Sequence, residues 1–109
     1  MGNKLIDQYS YLHLASGVIA YFWGLSLTNW FWIHLVFELL ENSKFGITFI
    51  NTVFDGLWPG GKTYPDFWIN MLGDQIFALI GWISAYYLDK WGSEYGWYEP
   101  HLMGQNTKI

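Results

Sequence analysis

His34 and Glu38 stand four residues apart, and on a helix that spacing puts an imidazole and a carboxylate on one face, within reach of a single divalent cation. A third donor comes from further along the chain. Asp74 lies near the middle of Phe67 to Leu88, a run that is otherwise almost wholly apolar. At 100° per residue Asp66, Asn70, Gly73 and Gly81 fall on the same face as Asp74, and Glu41 extends the face that carries His34 and Glu38. The expected polar centre is therefore His34, Glu38, Glu41, Asp66, Asn70 and Asp74. The primary reading gives it no catalytic residue, no metal and no cofactor: the acids are held protonated and hydrogen-bonded at the middle of a bundle. Two alternatives use the same residues. His34, Glu38 and Asp74 could hold a metal for hydrolysis, or they could line a proton or cation pathway.

The apolar runs must position these groups. Just over half of the residues are apolar (52%), 13% are charged and 22% are aromatic, against about a quarter charged in ordinary globular domains, so the composition points to a membrane protein. Asp74 then sits at bilayer depth, where a carboxylate costs roughly 2.5–3.5 kcal/mol and calls for a partner, a proton or a cation. The chain has no arginine, and Lys4, Lys44, Lys62, Lys90 and Lys108 all lie outside the strongly apolar runs.

The expected fold is all-α, a single polytopic membrane domain over residues 1–109 with three transmembrane helices. Helix 1 is placed at about 9–27, helix 2 at about 29–42 and helix 3 at about 66–88, the last opened by Pro65 and Asp66. Between the second and third lies an interfacial loop, 43–65, whose apolar stretch 45–58 has the length of a short re-entrant or interfacial piece; a polar tail, 89–109, follows the third. Gly17, Ala20 and Gly24 give helix 1 a small-residue groove, and Gly73 and Gly81 do the same for helix 3, which predicts close helix packing and self-association. Trp30, Trp58 and Trp91 are expected as membrane-interface anchors.

Several function classes drop out. A formal charge of −4 with no basic cluster argues against nucleic acid. Without cysteine there is no disulfide framework and no thiolate site, and no serine sits in a nucleophile-elbow motif. Gly56-Leu57-Trp58-Pro59-Gly60-Gly61-Lys62-Thr63 satisfies the phosphate-loop pattern, but there is no room for the sheet such a loop requires, so nucleotide is excluded and the segment reads as a turn.

The segment His34-Leu35-Val36-Phe37-Glu38-Leu39-Leu40, followed by Asp66-x3-Asn70-x2-Gly73 and then Gly81, resembles small VanZ-like integral membrane proteins. It departs from them in having Glu41-Asn42 where that family carries glutamine, and in lacking the arginine often found before the aspartate. Most of the chain, notably residues 17–24, 37–42 and 58–62, is similar to small membrane proteins of large double-stranded DNA viruses. The VanZ-like resemblance implies fold and membrane location, and the viral one a structural or assembly component of a virion internal membrane, or of a host membrane during assembly. Its partners would be the lipid bilayer, other membrane or capsid proteins, and further copies of itself. The VanZ-like resemblance also carries the alternative of a membrane-embedded, metal-dependent hydrolase.

Overall fold

The computed structural model describes residues 3–62 and 64–99, so the part of the expected polar tail beyond residue 99 lies outside the described residues. The described chain forms four helices: α1 (Ser10–Phe22), α2 (Leu27–Glu41), α3 (Lys44–Val53) and α4 (Trp68–Glu94).

Local chemistry sets these boundaries. Asp7 Oδ1 accepts from the amides of Tyr9 and Ser10 while Ser10 Oγ accepts from the amide of Asp7, a reciprocal cap that starts α1. At the other end Gly24 takes a positive φ of 89°, and the amides of Gly24 and Leu25 bond back to Tyr21 and Ala20, a left-handed closure that few residues but glycine accept cheaply. Ser26 and Ser43 cap α2 and α3 by accepting from the amides of Asn29 and Gly46. Gly96 closes α4 as Gly24 closes α1, with Trp97 bonding back to Gly92.

These boundaries correct the expected architecture. Helix 1 ends at Phe22 rather than near Leu27, because the turn at Gly24 intervenes. The presumed interfacial loop contains a fourth helix, α3, nucleated by its serine cap. The last helix runs through Asp89 and Lys90 to Glu94, since charged residues do not stop a helix on their own.

Three transmembrane helices are likewise overturned: no helix among the described residues is long and apolar enough to cross a membrane. At about 1.5 Å per residue α1, α2 and α3 reach only ~20, ~22 and ~15 Å, against a hydrocarbon thickness of ~30 Å. α4 reaches ~40 Å, but Asn70, Asp74 and Gln75 near its start and Asp89, Lys90 and Glu94 near its end dilute its apolar content.

The folded core lies where α1 crosses α4. Ala20, Tyr21, Trp30, Ala78, Trp82 and Ala85 pack together, and the two indoles are satisfied by backbone carbonyls, Trp30 Nε1 donating to Ala78 at 3.0 Å and Trp82 Nε1 to Leu25 at 2.7 Å. Contact between the helices is close enough to demand glycine. A Cβ on Gly17 would overlap the Ala78 carbonyl, one on Gly81 that of Leu14, and one on Gly73 that of Leu5. Gly17, Ala20, Gly73 and Gly81 thus sit at close contacts, as their spacing predicts, whereas Gly24 forms the exposed turn after α1. Of the three expected anchors, Trp30 is a core residue, Trp58 is half-buried against Phe37, and Trp91 is exposed on α4.

Candidate metal centre

The tight crossing at Gly17 sets the distance between α1 and α4 one turn earlier, where His13 faces Asp74 with Nε2 to Oδ2 at 3.2 Å. On the adjoining face of α2, His34 and Glu38 point into the same space, both almost completely buried. His13 Nδ1 lies 2.9 Å from His34 Nε2 and 3.4 Å from Glu38 Oε1, and the third side of this triangle, His34 Nε2 to Glu38 Oε1, is 3.9 Å. A triangle with those sides has a point about 2.0 Å from all three corners, which is the zinc-to-nitrogen and zinc-to-oxygen bonding distance.

Hydrogen bonding behind the rings determines which nitrogens face that point. The Gln75 amide nitrogen donates to the Phe31 carbonyl at 2.9 Å, which turns Oε1 towards His34 Nδ1 at 2.7 Å; that nitrogen must carry the proton, leaving Nε2 as a bare lone pair. An ionised Asp74 accepts from His13 Nε2 and leaves Nδ1 bare, whereas a protonated Asp74 donates to Nε2 and leaves His13 Nδ1–H to donate to His34 Nε2 at 2.9 Å. In the ionised state two lone pairs face each other beside the buried Glu38 carboxyl. That state favours a positive centre between the three atoms.

A proton fills that role poorly at neutral pH. Burial, and then the neighbouring His34, push His13 down to about 4; burial also lowers His34. Glu38 and Asp74 move the opposite way: burial raises both, with Asp74 and Glu41 adding to the shift of Glu38, and Asp66 and Glu41 to that of Asp74. Bases lowered and acids raised leave a cluster that is neutral when empty of metal. A divalent cation reverses both preferences by drawing the ligands into their deprotonated forms.

The cluster adjoins a cavity of about 440 Å³ whose lining includes Asp7, His13, His34, Glu41, Lys62, Asp66, Asn70 and Asp74. This volume is in the ordinary range for small-molecule sites, ~300–1,000 Å³. A second trio, Glu38, Asp66 and Asp74, also has carboxylate oxygens within 4.8 Å of one another. Its Asp66 is already neutralised, because the Lys62 ammonium sits 2.9 Å from Oδ2. The imidazole-containing set therefore fits a cation better.

Of the sequence-expected centre, His34 and Glu38 lie together on α2 and Asp74 meets His13 and Glu38, but among the described residues the donor atoms that come together are those of His13, His34 and Glu38, or of Glu38, Asp66 and Asp74, and not the expected trio of His34, Glu38 and Asp74. Glu41 and Asp66 form a neighbouring ion-pair group around Lys62, at 3.9 and 2.9 Å. Asn70 instead ties α4 to the amino-terminal segment, its amide donating to the Lys4 carbonyl at 2.8 Å and to Asp7 Oδ2 at 3.1 Å. Sequence reasoning missed three participants. His13 was legible only as a member of the face carrying Gly17; its use as a ligand depends on which helix that face meets. Gln75 adjoins Asp74 in the chain, but its role appears only once the Phe31 carbonyl is seen to orient it. Lys62, read as lying outside the apolar runs, is 99% buried, drawn in by Asp66, Glu41 and the Asn42 side chain, whose Oδ1 accepts from Nζ at 2.6 Å.

No family model matches this chain, and neither a curated protein nor a solved structure matches it. The VanZ-like and viral resemblances thus stand on their motif residues alone.

Proposed function

We propose that His13, His34 and Glu38 bind one divalent cation, zinc by ligand type, and that the chain performs metal-assisted hydrolysis in the adjoining cavity. The observation that supports this reading is the convergence of His13 Nδ1, His34 Nε2 and Glu38 Oε1, each pair within 3.9 Å, with Gln75 turning His34 Nε2 towards the other two. Three protein ligands with an open side is the arrangement of catalytic rather than structural zinc. A cation there would supply a Lewis acid and would lower the pKa of a water it binds. Asp74 lines the cavity and orients His13, and its carboxyl can hold a proton there.

The test is metal stoichiometry by elemental analysis and by calorimetric titration with Zn²⁺. One ion per chain is expected for the parent, with affinity falling at least about a hundredfold in His34→Ala and in His13→Ala. A folded parent that binds no ion would overturn the proposal.

A second reading, a subunit of a larger assembly, is favoured by the exterior. Tyr11, Trp23, Phe45, Leu57 and Trp68 are each more than 70% exposed, more apolar surface than an isolated domain ordinarily leaves open. Sedimentation velocity over a range of concentrations checks it: a species larger than one chain is expected, and a monomer throughout counts against it.

A further inference from the structure

The lining of the cavity is of two kinds, which together select its ligand. Tyr9, Leu12, Trp30, Ile33, Phe37 and Trp58 make much of it apolar and largely aromatic, and Phe37 stacks on Trp58 with ring centres 6.3 Å apart. The charged part consists of Asp7, Glu41, Asp66 and Asp74 with a single lysine. Lys62 is not available to an incoming anion, since its ammonium is spent on Asp66 Oδ2 at 2.9 Å, Asn42 Oδ1 at 2.6 Å and Glu41 Oε1 at 3.9 Å. Among the described residues that line the cavity, no other lysine is present. A phosphoester or a carboxylate entering here would meet several acids and no free cation of the protein.

Resting on the metal-centre reading, we infer that the cavity takes uncharged carbonyl compounds, esters or amides, that carry an apolar acyl chain. The chain would lie along the aromatic lining and the carbonyl would approach the three ligand atoms. Water adds to the carbonyl carbon, the bond from that carbon to the ester oxygen or amide nitrogen breaks, and the departing alcohol or amine takes up a proton, so one water is consumed and a carboxylic acid is formed.

Two binding experiments test the inference and separate it from the metal reading. The first uses the metal-free protein, with Trp30 and Trp58 in the cavity wall as fluorescent reporters. Octanamide is expected to bind at least about tenfold more tightly than octanoate, and at least about tenfold more tightly than acetamide. Octanoate binding as well as the amide, or an absence of any chain-length effect, overturns the inference whatever the metal does. The second titrates the Co²⁺-loaded protein by its visible absorption, with acetohydroxamic acid, octanohydroxamic acid and inorganic phosphate. The long hydroxamic acid should bind most tightly and phosphate most weakly, and phosphate binding more tightly than both overturns the inference. Ile33→Ser and Phe37→Ser, both at half-exposed positions in the apolar lining where folding tolerates change, should erase most of the preference for the longer chain and leave acetohydroxamic acid unaffected. Failure of Co²⁺ to bind, alongside the expected octanamide preference, would reject the metal centre and retain the ligand class.

Discussion

Along the same pair of helices, the crossing at Gly17, Ala78 and Gly81 is sealed, whereas one turn away, at His13 and Asp74, it opens onto a polar cavity. In the sealed region every large side chain has a complete environment: Trp82 and Trp30 donate to carbonyls, and the Tyr21 hydroxyl donates to Asp89. In the open region Glu38, Glu41 and Asp74 each keep a buried oxygen without a partner. Unsatisfied buried polar atoms typically cost about 1–3 kcal/mol each, so the open region persists because the sealed one holds the helices at a fixed separation. Stability and chemistry are divided between neighbouring turns.

The largest test removes the sealed side. Trp82→Ala deletes a side chain that is 1% exposed and should cost about 3–5 kcal/mol in urea unfolding; a loss below about 1 kcal/mol would mean that the crossing is not the stabilising region. Gly17→Ala comes next. Its Cβ would overlap the Ala78 carbonyl and crowd the Trp82 amide, both backbone groups that cannot swing aside. A loss of about 3 kcal/mol is expected, together with weaker metal binding, because α1 would carry His13 away from Asp74. Metal affinity surviving unchanged in a destabilised Gly17→Ala would show that the two regions are uncoupled.

Substitutions on the open side should have smaller effects on stability and sharper effects on binding. Asp74→Asn removes the charge that orients His13 and should weaken Zn²⁺ binding by about tenfold, or roughly 1.4 kcal/mol, measured by calorimetry.

The smallest effect is a pH dependence of the metal-free protein. Burial, reinforced by neighbouring carboxylates, raises Glu38 and Asp74 above the ~4.3 and ~3.9 of an unfolded chain, although a hydrogen bond from Glu38 offsets part of the shift of Asp74. The folded state therefore keeps their protons after the unfolded state has released them. Their contribution is complete below about pH 4 and is lost as pH rises towards the folded values. The buried imidazoles run the other way: with folded values below ~6.5, their contribution is complete above that pH and is lost on acidification. Glu41 and Asp66 face the same groups, and Glu41 is itself raised by burial. Above about pH 6.5 only the acids act, so stability should fall between pH 7 and 9. Glu38→Gln should flatten that slope, and an equal slope in the variant would remove Glu38 as its source.

Much of the chemistry was legible because it is local. His34 and Glu38 share a face of α2 through their spacing alone, and Asn70, Gly73, Asp74 and Gly81 share one on α4. Helix 2, expected at about 29–42, runs from Leu27 to Glu41, started by the Ser26 side chain accepting from the Asn29 amide and ended at Asn42. The membrane architecture failed for an equally local reason: the apolar runs were measured without the turn at Gly24 and without the full extent of α4, whose polar ends count once it is read as one helix.

The sequence by itself determined an all-helical chain, its glycine-lined contact faces, and which carboxylates and imidazole lie on inward stripes, since helical periodicity follows from residue order. Only the tertiary structure decided that His13 completes the set, that Gln75 and Asp74 choose the nitrogens it presents, and that Lys62 is buried among acids. Those outcomes depend on distances between groups far apart in the chain, 21 residues from His13 to His34 and 41 from His34 to Gln75, and the close packing of backbones at Gly17 and Gly81 sets those distances.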